Sequence, residues 1–154
     1  DFAAQGVCMA GNAFASVLLV KGQEDFEEAE LSALKASLEH LGYAPEAWAT
    51  LLTTTKTGDP INPELVRQAI SAFSPDTVLL VNDAAVASVR EAYAEELDQL
   101  KTDAEKTFSP RVLVHVCGMR VVNLDNFAGA LDDSHQKQMR WAAIKQVPPL
   151  GEPY

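Results

Sequence analysis

The chain has 154 residues, 47% of them hydrophobic and 22% charged, which is enough apolar material for one domain to bury a core without disulfide or metal staples. Its net charge of −10, from 12 basic and 22 acidic residues, opposes the phosphate neutralisation that strong nucleic-acid binding requires, and opposes docking on anionic membranes. The two cysteines, Cys8 and Cys117, form no CxxC pair and have no histidine at ligand spacing, so a zinc or iron–sulfur site is not expected. Both read as reduced, partly buried thiols, and the composition implies no cofactor.

Residues 1–12 are small and mixed, and read as a lead-in without the basic-then-apolar order of a signal peptide. A cytoplasmic location is the expectation, because the longest apolar run, Ala13 to Val20, is too short to span a bilayer. Ser16 to Val20 is a continuous branched run of the kind that forms a strand buried on both faces. From Phe26 to Leu41 the leucines 31, 34, 38 and 41 fall three and four apart, predicting a helix that begins in acidic residues and stops at Gly42. Ala47 to Thr55 predicts a second strand, followed by a turn-rich loop at Lys56 to Pro60. Asn62 and Pro63 mark a helix start, and that helix runs to about Phe73. Thr77 to Val81 is a third strand, after which Asn82 and Asp83 cap a long helix reaching Ser109-Pro110. Arg111 to Val116 and Val121 to Leu124 predict two further strands, and Asp132 to Ser134 caps a last helix over about His135 to Lys145. The tail, residues 147–154, reads as irregular. This alternation predicts a single α/β domain of three layers, α/β/α, with a mostly parallel central sheet of four to five strands.

In open sheets of this class ligands bind at the carboxyl ends of the strands. The rule selects Lys21 to Asp25, Thr53 to Asp59, Asn82-Asp83 and Asp125 to Gly129. Gly22, Gln23 and Glu24 offer a flexible backbone, an amide and a carboxylate able to activate a water, or else a strand end leading into a solvated helix start. Lys56 is placed to meet a phosphate or carboxylate, or is a solvated loop lysine. Asn82 either binds a ligand or caps a helix. No phosphate-binding glycine motif is present. His115 lies in an apolar strand run and reads as a core histidine, whereas His40 and His135 read as surface residues.

Taken in order, Val17-Leu-Leu-Val-Lys-Gly-Gln-Glu-Asp-Phe26 is similar to the first motif of the uracil-DNA glycosylase superfamily, an apolar strand ending in Gly-Gln-Asp-Pro-Tyr or Gly-Glu-Ala-Pro-Gly. Gly22 and Gln23 match the first version, and Glu24 stands where the water-activating aspartate would be. Asp25 and Phe26 replace the proline and tyrosine. The succession of Leu38 to Gly42, Thr55-Lys56, Asn62 to Leu65 and Phe73 to Val81 resembles the bacterial branches, as does Leu131 to Trp141. The resemblance implies the glycosylase-like fold. It also implies that the second motif falls at Asp125-Asn126-Phe127-Ala128-Gly129, where the family carries His-Pro-Ser and its histidine stabilises the departing uracil anion. Neither histidine nor proline stands there, and an aspartate repels a developing anion. The iron–sulfur cysteines of the bacterial branches are absent as well.

Three readings follow. The leading one is a glycosylase-like domain without ordinary uracil excision that binds an unidentified protein or small molecule. The second is a divergent hydrolase with Glu24 as base and Gln23 and Asn126 orienting the substrate, with Phe127 beside them. It requires one pocket joining Glu24, Gln23 and Asn126. The third starts from a likeness of Ser16 to Val20, Leu34 to Tyr43 and Pro75 to Asp83 to response-regulator receiver domains, and makes Asp83 a phosphoacceptor.

Overall fold

The computed structural model describes residues 2–55 and 57–150. The apolar runs become strands β2 (Val17–Lys21) and β4 (Thr77–Leu80), every residue of both buried. With β1 (Met9–Gly11), β3 (Trp48–Leu52), β5 (Leu113–Val116) and β6 (Met119–Asn123) they form one mixed sheet in the order β1-β3-β2-β4-β6-β5. Strands β3, β2, β4 and β6 run parallel, and the edge strands β1 and β5 run antiparallel to their neighbours.

The sheet therefore has six strands rather than four to five. The added strand lies in the presumed lead-in. Its three residues are exposed and carry no apolar alternation, so pairing with β3 is its one distinguishing feature. Gly11 makes that pairing possible: its φ is 100°, and a Cβ there would sit 2.8 Å from the Ala49 Cα. At the other edge β5 and β6 are joined by Cys117 (φ 49°) and Gly118 (φ 79°), a two-residue hairpin turn with both residues left-handed. The hairpin corrects the reading of His115. As an antiparallel edge strand, β5 buries one face only, and His115 points out to solvent.

Side chains alternate across the sheet and build a core on each face. Leu18, Val20, Leu51, Val78, Leu80 and Val121 pack with α2 (Pro63–Phe73) and α3 (Asp83–Ala92). Val17, Leu19, Leu79, Val81, Val122 and Leu124 pack with α1 (Glu28–Leu41) and α6 (Ser134–Ile144). The caps are those the sequence suggested: Asn62 accepts from Glu64 N at 2.8 Å, Asn82 from Ala85 N at 3.1 Å and Asp133 from Gln136 N at 3.1 Å. Gly42 ends α1 with φ 110°.

The long helix expected after Asn82 is broken into α3, α4 (Ala94–Asp98) and α5 (Asp103–Lys106). The first break falls at Tyr93, whose ring is buried under the Arg67 guanidinium, 4.7 Å from its centroid. Arg67 also pairs with Glu96. Thr102 caps α5, accepting from Glu105 N at 3.2 Å. Residues 147–150 lack regular structure, but Val147 is buried and accepts the Tyr43 hydroxyl at 2.6 Å. Among the described residues no helix is long and apolar enough to cross a membrane.

Candidate functional site

Because β3, β2, β4 and β6 are parallel, their carboxyl ends lie along one edge. The loops that follow them hold Gly22, Gln23, Glu24, Asn82, Asn126 and Phe127, and Lys56 lies outside the described residues.

The loop after β2 is built around Gly22. The side-chain amide of Asn82 grips both backbone groups of that residue: Gly22 N–H donates to Asn82 Oδ1 at 3.1 Å, and Asn82 Nδ2 donates to the Gly22 carbonyl at 2.8 Å. The same Oδ1 caps α3, so the amide is consumed by structure. Glycine is required by crowding, since a Cβ at Gly22 would meet Thr53 Oγ1 at 2.5 Å and Ala84 Cβ at 2.8 Å. The chain then reverses over Gln23, whose φ is 70°, with Glu24 N–H donating to the Gly22 carbonyl at 2.8 Å. An i→i+2 bond across a left-handed non-glycine residue is a γ-turn, a strained conformation that its surroundings must hold. It leaves Gln23, Glu24 and Asp25 exposed, the Glu24 side chain by 71%.

Beneath this loop lies an ion pair that sequence reading missed. Lys21, 1% exposed, points to the α1 side with Val17 and Leu19 and places its Nζ 2.6 Å from Glu30 Oε1. Glu30, fully buried, also accepts the Glu27 N–H at 3.2 Å. The Lys21 ammonium lies 3.9 Å from Glu24 Oε1 and 5.8 Å from the Phe26 ring centroid. The signal was present: Glu30, Leu34 and Leu38 are four apart, so the buried stripe of α1 begins with the glutamate. The acidic crowding of the helix start hid it among solvated neighbours. Glu30 Oε2 and Thr53 Oγ1 have no hydrogen-bond partner among the described residues.

A cleft of about 360 Å³ opens beside the loop. Gln23, Glu24 and Asp25 form one wall, Thr50, Leu52 and Thr54 of the β3 side the floor, and Cys8 to Ala10 the opposite wall. Among the described residues its lining holds two carboxylates, hydroxyls and a thiol. Cys8 and β1 entered no sequence-based site, because nothing marked Met9–Gly11 as a strand that would bring them beside Glu24.

The loop after β6 is directed elsewhere. Asp125 (φ 57°) and Asn126 (φ 60°) are both left-handed. The Asp125 carboxylate lies 2.8 Å from Arg111 Nη1 and 3.5 Å from Arg140 Nη2, and its N–H donates to Asn123 Oδ1 at 2.8 Å. Asn126 is exposed and does not line the cleft, and Phe127 is buried in the core beneath α1 and α6. The structure thus groups Gly22, Gln23, Glu24 and Asn82, and it leaves Asn126 and Phe127 outside. Asp83 is exposed at the first position of α3. Among the described residues no group of three His, Cys, Asp or Glu side chains is arranged to hold a metal ion. Compared with known proteins, the chain matches no protein-family model and no curated protein.

Proposed function

We propose that this chain is a divergent glycosylase-like domain that binds a ligand in the cleft beside Glu24 and does not excise uracil. Parallel strands between two cores, with Gly22-Gln23-Glu24 closing the second strand in sequence, support the fold half of this reading. The observation that carries the functional half is the fate of the loop after β6. Base excision needs a donor where the leaving anion develops. Here the loop offers an aspartate already held by Arg111 and Arg140, and Asn126 does not line the cleft. The hydrolase reading requires Glu24, Gln23 and Asn126 in one pocket, and Asn126 lies outside it.

With the Glu24 and Asp25 carboxylates in its wall beside threonine hydroxyls, the cleft favours a hydrogen-bonding ligand over a phosphate backbone. The test is a uracil-excision assay on single-stranded and duplex DNA, comparing the wild-type chain with Glu24→Gln. The expected result is no release of uracil from either. Excision that disappears in Glu24→Gln would make the protein a true glycosylase with an unusual anion-stabilising group.

A further inference from the structure

A second cavity, of about 240 Å³, lies on the other side of the loop after β6, between α1 and α6. Phe127, Leu131 and Trp141 supply apolar walls, and Ala33 of α1 closes one side. Among the described residues two cations, Lys137 and Arg140, stand in this lining and no carboxylate does. That is an unusual surface in a chain of net charge −10, and it contrasts with the two carboxylates among the described residues of the cleft beside Glu24.

Arg140 is only 8% exposed, although arginine is seldom buried unless all its donors are matched. Its Nη1 donates to Gln136 Oε1 and its Nη2 to the Asp125 carbonyl, with the Asp125 carboxylate 3.5 Å from Nη2. Its Nε is buried and has no acceptor among the described residues. Asp125 is shared with Arg111, so one carboxylate serves two guanidinium groups and the cluster keeps a positive charge before Lys137 is counted. The Nε is sealed from the cavity, so what the lining offers a ligand is the remaining positive charge of the guanidinium cluster and of Lys137, which an anionic oxygen in the cavity would balance.

We infer that this cavity is a binding site for a small monocarboxylate with an apolar body. The carboxylate is held by Arg140 and Lys137, and the hydrocarbon part lies against Phe127, Leu131 and Trp141. The volume exceeds the roughly 150 Å³ that accommodates a benzene ring, so it admits one ring with a short acid chain. The site is separate from the Glu24 cleft and does not depend on the function proposed for it.

The test is calorimetric titration with 3-phenylpropionate and with its uncharged amide, 3-phenylpropionamide. The acid is expected to bind saturably and the amide about ten-fold or more weakly, the effect of removing one charge-assisted contact from a desolvated site. Lys137→Gln is expected to weaken the acid several-fold with little change for the amide. Ala33→Leu, which fills the cavity from α1, is expected to abolish binding of both, and Glu24→Gln to leave both unchanged. Arg140→Gln should bring the acid down to the affinity of the amide, and if that variant does not fold, the Lys137 and Ala33 variants decide. Equal affinity for acid and amide, binding that survives Ala33→Leu, or no saturation up to about 10 mM acid each overturns the inference.

Discussion

The loops after β2 and β6 lie on the same sheet edge, with β4 between their strands, and are anchored in opposite ways. At Gly22 the anchor is borrowed: the Asn82 amide grips the backbone, and Gln23, Glu24 and Asp25 are left free to face the cleft. At Asp125 the anchor is the loop's own side chain, committed to Arg111 and Arg140, and little remains to meet a ligand on the cleft side. The comparison teaches that position at a carboxyl edge makes a segment eligible for function, while the source of its anchoring decides whether its side chains remain available. It also explains why the cationic groups around Asp125 serve a cavity on the helix side.

The largest test of this contrast lies beneath the first loop. Glu30→Ala should cost about 3–5 kcal/mol in urea or thermal unfolding, because it strands the Lys21 ammonium in the core. Lys21→Met combined with Glu30→Leu should recover most of that loss, since an apolar pair of similar volume suits the site. If the single variant proves as stable as wild type, the pair does not anchor the loop. Next in size, Asn82→Ala removes both grips on Gly22 and the cap of α3. It should cost about 2–3 kcal/mol and increase amide exchange at Gly22 to Asp25 while sparing Asp125. Equal loosening of both loops would mean that they share one support.

Much of this fold was legible in the sequence, and the reason is period. β2 and β4 are buried on both faces and announce themselves as unbroken apolar runs, and Asn62, Asn82 and Asp133 all cap where their residue type predicts. What escaped notice was fixed by distant partners. Met9–Gly11 is a strand only because β3 offers it hydrogen bonds. His115 faces solvent only because the Cys117-Gly118 turn makes β5 an edge. The site divided along the same line. Gly22, Gln23 and Glu24 were found because they close a recognisable strand, whereas Cys8, Lys21, Glu30 and Arg140 acquire their roles from packing that no local pattern displays.

Asp125→Asn tests the second loop with a smaller effect, about 1–2 kcal/mol, because the carboxylate is partly exposed but leaves the buried Arg140 without its counter-charge. If the comparison is right, the same substitution should unsettle Phe127 and α6 in an amide-exchange map while the cleft residues Gln23 and Glu24 stay as protected as before. Disturbance that reaches the cleft would join the two loops into one site and revive Asn126 as a partner of Glu24.

The smallest expected effect is a control far from either loop. The Arg67 guanidinium, hydrogen-bonded to the Glu96 carboxylate, holds that carboxyl down at about 2 from an ordinary 4.5. A depressed carboxyl stabilises the fold fully above its unfolded value, and the contribution is lost as pH falls through the folded one. The stability difference between wild type and Glu96→Gln should therefore be small but steady above pH 4.5 and vanish toward pH 2. Amide exchange at Gly22 to Asp25 and at Asp125 to Phe127 should be the same in the two proteins throughout, because Glu96 touches neither anchor. A pH-dependent change at one loop only would show that its anchor reaches across the sheet to α2 and α4, and the contrast between borrowed and self-made anchoring would then have to be redrawn.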